Sequence, residues 1–397
     1  MLELLIIENQ DEKNIAYLED GVLKEYYKEN KSKKRLEGNI YVGKVKDVLQ
    51  GMQAAFIDIG EDKNAFLHIK DVLPKKSNVT GNKKEDIEKY KIKDYIKPNQ
   101  SILVQVKKDS NNIKGARVST NIQVPGKFVI ILPENDFITV SQKIEDIEER
   151  KRLIDIVQKK KENMKMGIII RTAANGRNEE EIKEDIENTL NEWKSIKENF
   201  EKTEGKVPRI IKENESILEK IILDIAYNGL EKIYVNTKKT EEQVENILKN
   251  MNIKTIKVKL EEKDLEKKYD ICEQIEKMKN RKVWLKCGGF ITIDKTEALT
   301  AIDVNSGKFT GKENLEKTVL KVNKEATVEI AKQLRLRDIG GIIIIDYIDM
   351  QDEEDKKDVE KILVEELKKD RSKTQIEGFT KLDLMELTRK HICSHKC

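Results

Sequence analysis

The chain has 397 residues, which points to about two to four domains. Hydrophobic and charged residues are each 38% of it, and 77 Lys+Arg nearly cancel 74 Asp+Glu, so net charge alone names no polyanionic partner. No run of 18 uncharged apolar residues exists, the start MLELLIIENQDEKN lacks the basic lead of a signal peptide, and four cysteines make no disulfide framework; this excludes a membrane span and leaves a cytoplasmic protein as the expectation.

In chain order, residues 2–27 read as strands: LELLIIE, then NIAYLED, a turn at Gly21, then VLKEYY. The basic stretch YKENKSKKRLEG reads as a linker. Between Gly38 and about Thr120 come short β-like runs broken by Gly, Asn and Asp: NIYVGKVKDVL, QAAFIDIG, NAFLHI, SILVQVKKD and GARVST. Their spacing predicts a small barrel. The polar insertion PKKSNVTGNKKEDIEKYKIKDYI reads as a loop within it.

Residues 126–175 look β-rich, through KFVIILP and MGIIIRTA. Asn178 and Glu181 then make a capping-box start. Ile182, Ile186, Leu190, Trp193, Ile196 and Phe200 follow on one helical stripe. Residues 215–260 read helix, strand, helix, strand. FITID and ALTAIDV make a hairpin around Lys295–Glu297, and a long helix carries Leu315, Val319, Val322, Ala326, Ile330 and Leu334. GGIIIIDYIDM is apolar at consecutive positions, which predicts a central strand buried on both faces. A last helix carries Val359, Leu363 and Leu367. The fold class is mixed α/β, with no internal repeat.

Two aspartates end apolar strands: Asp303 in LTAIDVNSGKFTG and Asp346 in GGIIIIDYIDM. A buried charge without a partner costs roughly several kcal/mol. Each carboxylate therefore sits at a strand end in solvent or meets a cation, and strand ends are where α/β sheets bind ligands. Mg²⁺ is commonly held by one or two carboxylates together with waters and phosphate oxygens. Asn305, two residues beyond Asp303, can point the same way. Asp338 and Asp349 are further carboxylates nearby. Turn capping by Asp and Asn is the plainer reading, and spacing alone leaves both open.

IDKTEALTAIDVNSGKFTG and LRLRDIGGIIIIDYIDM together resemble the catalytic core of the ribonuclease E/G family of bacterial endoribonucleases, on its compact, ribonuclease G-like side. GNIYVGKVKDVLQGMQAAFIDIGEDKNAFLHIKDV resembles the family's S1-type OB-fold, MGIIIRTAANG its 5′-end sensor, and LMELTRK the segment closing its catalytic region. The motifs occur in the family's order over nearly the whole chain. The resemblance implies an RNase H-like subdomain at 1–36 plus 215–280 and an inserted OB-fold RNA-binding domain at 37–120. It further implies a 5′-sensor region at 121–214 and a DNase I-like catalytic subdomain at 281–397.

It also implies that Asp303 and Asp346 bind Mg²⁺ beside Asn305 and that a water cuts single-stranded RNA, leaving a 5′-phosphate and a 3′-hydroxyl. Precursor ribosomal RNA and messenger RNA are the implied substrates. Read from residues alone, Phe56 and Phe66 belong in the barrel core; the resemblance makes them base-stacking contacts. Lys108 and Lys114, otherwise solvated lysines, become phosphate contacts. Arg171 and Thr172, a fork beside a hydroxyl, become the receptor for a 5′-monophosphate, aided by Gly126, Val129 and Ile130.

The tail departs from the family. It ends HICSHKC, where a Cys-Pro-x-Cys motif sharing one zinc between two chains is expected. Cys393 and Cys397 are separated by three residues without a proline, a spacing zinc tolerates, with His391 or His395 as further donors. Zn²⁺ as a second metal and a homodimer through this tail are thus weaker expectations than Mg²⁺. The family's following small domain is missing, which reads as either a minimal member or a chain cut at this point. Cys272 and Cys287 read as small core residues. The alternative function is a non-catalytic RNA-binding factor using the barrel and the 5′-phosphate pocket; a DNA nuclease is a third reading.

Overall fold

A computed structural model describes residues 1–31, 35–73, 89–110, 113–161, 165–203, 207–214, 216–226, 229–261, 265–307 and 315–392. The chain divides into two compact units, one of residues 1–33 and 224–397, the other of residues 34–223. Among the described residues no helix is long and apolar enough to cross a membrane.

The strands in chain order are β1 (Leu2–Glu8), β2 (Glu12–Glu19), β3 (Val22–Asn30), β4 (Ile40–Leu49), β5 (Ala54–Asp58), β6 (Ala65–His68), β7 (Ser101–Lys108) and β8 (Arg117–Ser119). After them come β9 (Val124–Pro125), β10 (Val129–Leu132), β11 (Ile138–Val140), β12 (Gly167–Ile170), β13 (Arg209–Lys212), β14 (Leu230–Val235) and β15 (Lys257–Leu260). The last six are β16 (Lys282–Trp284), β17 (Phe290–Lys295), β18 (Leu299–Asn305), β19 (Gly341–Asp346), β20 (Thr374–Phe379) and β21 (Leu384–Arg389).

In the unit of residues 34–223, β4, β5, β6, β8 and β7 form a five-stranded barrel that closes by β7 pairing back onto β4, with β13 added outside β4. These five strands are the five β-like runs of the sequence. Alternation fills the barrel: Ala55, Ile57, Ala65, Leu67, Val104, Val106 and Val118 point inward and are buried. A second sheet runs β11-β12-β10-β9. The helix Glu179–Glu201 starts on the capping box: Asn178 Oδ1 accepts from the Glu181 amide at 2.8 Å and Glu181 returns the bond. One helix lies inside the segment that reads as β-rich, Ile147–Lys161. Its apolar stripe is narrow, since only Leu153, Ile156 and Val157 are buried, so its periodicity is weak in sequence.

In the other unit, one sheet runs β15-β14-β1-β2-β3 and a second runs β16-β17-β18-β19-β21-β20. The helices Leu315–Leu336 and Glu353–Lys368 cover one face of the second sheet, where Ile291, Ile302, Val304, Ile343, Ile345 and Met385 meet Val322, Ala326, Ile330, Leu334, Val359 and Leu363. Each such large apolar side chain contributes about 1.5–3 kcal/mol by leaving water. β19 is central, between β18 and β21, but it is not buried on both faces as its isoleucine run suggests. Ile343 and Ile345 are fully buried, whereas Ile342 is 51% exposed. Among the described residues the helices packed on this sheet lie on one side, so the outward face stays open for polar groups. Cys272 also departs from expectation, being exposed; Cys287 is half-buried against the core.

Candidate active site

β18 and β19 run parallel with Ile302 opposite Ile345 and Asp303 opposite Asp346. Side chains at paired positions leave the same face, on strands about 4.8 Å apart. Both apolar strands thus deliver their terminal carboxylates side by side onto the open face, and both are exposed. Asn305 lies two residues on and donates its amide to Asp303 Oδ2 at 2.6 Å. Partial burial, together with the charges of Asp303 and Asp349, pushes the Asp346 carboxyl above the usual carboxylate range. Two adjacent carboxylates, with the charge of Asp303 raising the proton affinity of Asp346, form a ready site for a cation.

The donor set is all oxygen, which suits a hard ion. Among the described residues no cluster of three or more His, Cys, Asp or Glu is arranged for a metal. One or two carboxylates are enough for Mg²⁺, which keeps several waters and takes substrate phosphate oxygens. Residues and ion therefore fit. Asp338 belongs elsewhere: it is buried, 2.8 Å from Arg389 Nη1, and Arg389 Nε in turn binds Asp370 at 2.7 Å.

The segment after β19 is held from behind. Asn323, wholly buried on the helix Leu315–Leu336, donates to the Ile348 carbonyl at 2.7 Å and accepts from the Ile348 amide at 3.1 Å. Thr327 binds the Tyr347 hydroxyl at 2.9 Å. These contacts fix the backbone between Asp346 and Asp349.

On the barrel, Phe56 and Phe66 are direct cross-strand partners on the outward face, half-buried, with ring centroids 6.0 Å apart. Their neighbours Ala55, Ile57, Ala65 and Leu67 take the core positions, so the core reading of these two rings does not hold. The row continues: Phe66 pairs with Arg117 and Arg117 with Lys108. Lys108 and Lys114 are exposed. Asp71 holds Arg117 at 2.8 Å and Lys107 at 2.6 Å.

In the second sheet of the same unit, Val129 pairs with Ile170 and the turn before it is closed by the Gly126 amide donating to the Val129 carbonyl at 2.7 Å. Arg171 Nη1 donates to the Gly126 carbonyl at 2.7 Å, and Thr172 shares a 2.8 Å hydrogen bond with Ser141. Asp185, from the helix Glu179–Glu201, accepts from the amides of Lys127, Phe128 and Val129. A Cβ on Gly126 would come within 2.3 Å of Thr189 Oγ1 and 2.7 Å of Asp185 Oδ2, so close approach of that helix demands glycine here. The Val129 side chain is fully buried and Ile130 is partly covered, so Val129 has only its backbone to offer a ligand.

A sequence profile described as the Ribonuclease E/G family matches residues 123–392. Ribonuclease G of Salmonella typhimurium is 37% identical over 406 aligned positions, covering all of this chain and 82% of the relative. Ribonuclease G of Haemophilus influenzae is 38% identical over 393 positions, 98% of this chain and 79% of the relative. Ribonuclease E of a Nostoc strain is 34% identical over 360 positions, 89% of this chain and 51% of the relative.

The chain belongs to the ribonuclease E/G family.

Within this ribonuclease E/G chain, several residues at the sites escape a reading of motifs. Arg117 stands between Phe66 and Lys108 only because β6 and β8 run parallel. Asn323 and Asp185 act through backbone partners 25 and 56 to 58 residues away, and Thr327 through the Tyr347 hydroxyl 20 residues away. Alternation in GARVST marks Arg117 as outward, but nothing in sequence marks the other three. Cys393, Cys397 and His395 lie outside the described residues. His391 places its Nδ1 2.9 Å from the Asp338 carbonyl.

Proposed function

We propose that this chain, an endoribonuclease by its family, hydrolyses single-stranded RNA on the open sheet face where Asp303 and Asp346 hold Mg²⁺. The observation that carries this reading is the parallel register that sets the two carboxylates side by side. When bound there, Mg²⁺ supplies Lewis-acid polarisation of the scissile phosphoryl group and acidifies a water. Asn305 orients Asp303 through its amide, and Asn323 holds the turn that follows Asp346. Water adds to phosphorus, the bond to the 3′ oxygen breaks, and the products keep a 5′-phosphate and a 3′-hydroxyl.

The outward row Phe56, Phe66, Arg117 and Lys108, with Lys114 nearby, suits an unpaired strand: the rings offer π-faces to bases and the cations meet phosphates. Arg171 and Thr172, beside the Gly126 turn, suit a terminal 5′-monophosphate, which predicts faster cutting of monophosphorylated than of triphosphorylated RNA. We assign the sheet of residues 281–397 to a DNase I-like catalytic subdomain and residues 1–36 plus 215–280 to an RNase H-like one. Residues 37–120 form the OB-fold domain and 121–214 the sensor. Precursor ribosomal RNA and messenger RNA in the cytoplasm are the substrates we expect.

The test compares wild type with Asp303→Asn on single-stranded RNA and on DNA of the same sequence, in Mg²⁺ and in EDTA. The expected result is RNA cleavage by wild type in Mg²⁺ alone, with the variant inactive but still binding RNA. Unchanged turnover in the variant removes the assignment; binding without any cleavage by wild type favours the RNA-binding-factor reading; equal cutting of DNA favours the third.

A further inference from the structure

The same open sheet face carries a second group beside the carboxylates. On β16 and β17, Trp284 pairs with Phe290 and Lys282 with Thr292; on β17 and β18, Phe290 pairs with Asn305 and Thr292 with Asp303. Two rows therefore cross the sheet, one reading Lys282, Thr292, Asp303, Asp346, the other Trp284, Phe290, Asn305. Lys282 and Trp284, on β16, lie two strands from β18 and Asp303, roughly 10 Å away. The Trp284 and Phe290 rings meet edge to face, with centroids 5.4 Å apart at 63°. Lys282 Nζ sits in the angle between them, 4.1 Å from the Trp284 ring and 3.4 Å from that of Phe290.

Trp284 is 64% exposed, although burying an indole is normally favourable. Lys282 makes no ion pair among the described residues; its contacts are the two rings. The flanking stretch KMKNRKVWLK, residues 277–286, holds five cations and no acid; Lys277, Lys279 and Arg281 pair with Glu273, Glu276 and Asp294, which leaves Lys282 and the exposed Lys286 as its cations without an ion pair among the described residues. An open indole, a cation and a basic flank, continuous with a carboxylate pair, describe a place for a base whose own phosphate is nearby. A protein partner would find the adjoining carboxylates unfavourable unless it were basic, and the basic flank opposes that. A nucleic-acid strand satisfies both, presenting a π-face to Trp284, a phosphate to Lys282 and, through a cation, a phosphate to Asp303 and Asp346.

We infer that Trp284, backed by Phe290 and Lys282, stacks the base of a nucleotide neighbouring the scissile phosphate and so positions single-stranded RNA for cleavage. This rests on the proposed cutting site at Asp303 and Asp346, but the binding arm of its test, read in EDTA, does not. The chain has two tryptophans, Trp193 and Trp284, so Trp193→Phe leaves Trp284 as the sole indole reporter.

In EDTA, where nothing is cut, titrating this variant with a short single-stranded oligoribonucleotide quenches the indole emission saturably, while inorganic polyphosphate at equal charge does not. In Mg²⁺, Trp284→Ala loses about 5- to 150-fold in kcat/KM, the factor expected for one stacked base. Trp284→Phe retains most of the rate, and the thermal midpoint of either variant is unchanged. An abasic site beside the cut lowers the wild-type rate similarly and costs Trp284→Ala nothing more. Emission unmoved at saturating RNA, quenching equally by polyphosphate, or full additivity of the Ala and abasic losses each overturns the inference. If wild type fails to cut RNA while quenching persists, the cutting site fails and the stacking site stands.

Discussion

The sheet that carries Asp303 and Asp346 and the barrel use one construction for opposite charge patterns. In both, alternating strands bury one face and present a cross-strand row on the other. On the sheet the row is acidic, Asp303 beside Asp346; on the barrel it is aromatic and basic, Phe56, Phe66, Arg117 and Lys108. The acidic row leaves like charges adjacent and raises the Asp346 pKa, so its geometry calls for an added ion. The barrel row already contains its ion pair, because Asp71 braces Arg117, so its geometry calls for no added ion. Neighbouring side chains of like charge thus call for a counter-ion, whereas a compensated row does not.

The largest effect expected is from Asp346→Asn. Cleavage should fall by at least ~10³-fold, about 4 kcal/mol of transition-state stabilisation, with RNA affinity in EDTA unchanged. Single-turnover kinetics and anisotropy measure the two. A parallel loss of affinity would mean that the acidic row binds RNA by itself and would erase the contrast with the barrel. Phe66→Ala should do the reverse, weakening RNA binding by about 1–3 kcal/mol while kcat at saturation holds.

Next comes Asn323→Ala, which removes both bonds to Ile348 without touching the carboxylates. We expect ~10–100-fold lower activity and about 1–3 kcal/mol less stability, read by kinetics and by urea unfolding. Full activity would show that the turn after β19 holds its shape unaided. Lys108→Ala should lower the slope of log K against log salt by about 1 with little change in rate at low salt. An unchanged slope removes Lys108 from the phosphate contacts.

The smallest effect concerns the metal-free protein. Because burial and the charges of Asp303 and Asp349 raise the Asp346 pKa in the folded state, ionised Asp346 destabilises that state. The penalty sets in as pH rises through the raised pKa and vanishes below the ordinary carboxylate value. In EDTA at neutral pH, Asp346→Asn should therefore melt slightly higher than wild type, with the two converging in acid. Mg²⁺ should reverse the order by stabilising only wild type. A wild type that melts higher than Asp346→Asn in EDTA would contradict the repulsion.

Much of this molecule is written in local patterns. The five barrel strands, the capped helix from Asn178 and the hairpin at Lys295–Glu297 follow from alternation, periodicity and turn residues, all short-range. The motifs around Asp303 and Asp346 named a family that the relatives share. What local pattern could not supply is register and coverage. The isoleucine run of β19 reads as doubly buried, and only the placement of both helices on one side leaves Ile342 and Asp346 in solvent. Phe56 and Phe66 read as core until alternation on closed strands turns them outward. Arg117, Asn323 and the Trp284 platform owe their positions to partners distant in sequence. Apolar periodicity says which side chains avoid water; which carboxylate stands beside which, and which ring faces out, is set by strand pairing across the chain.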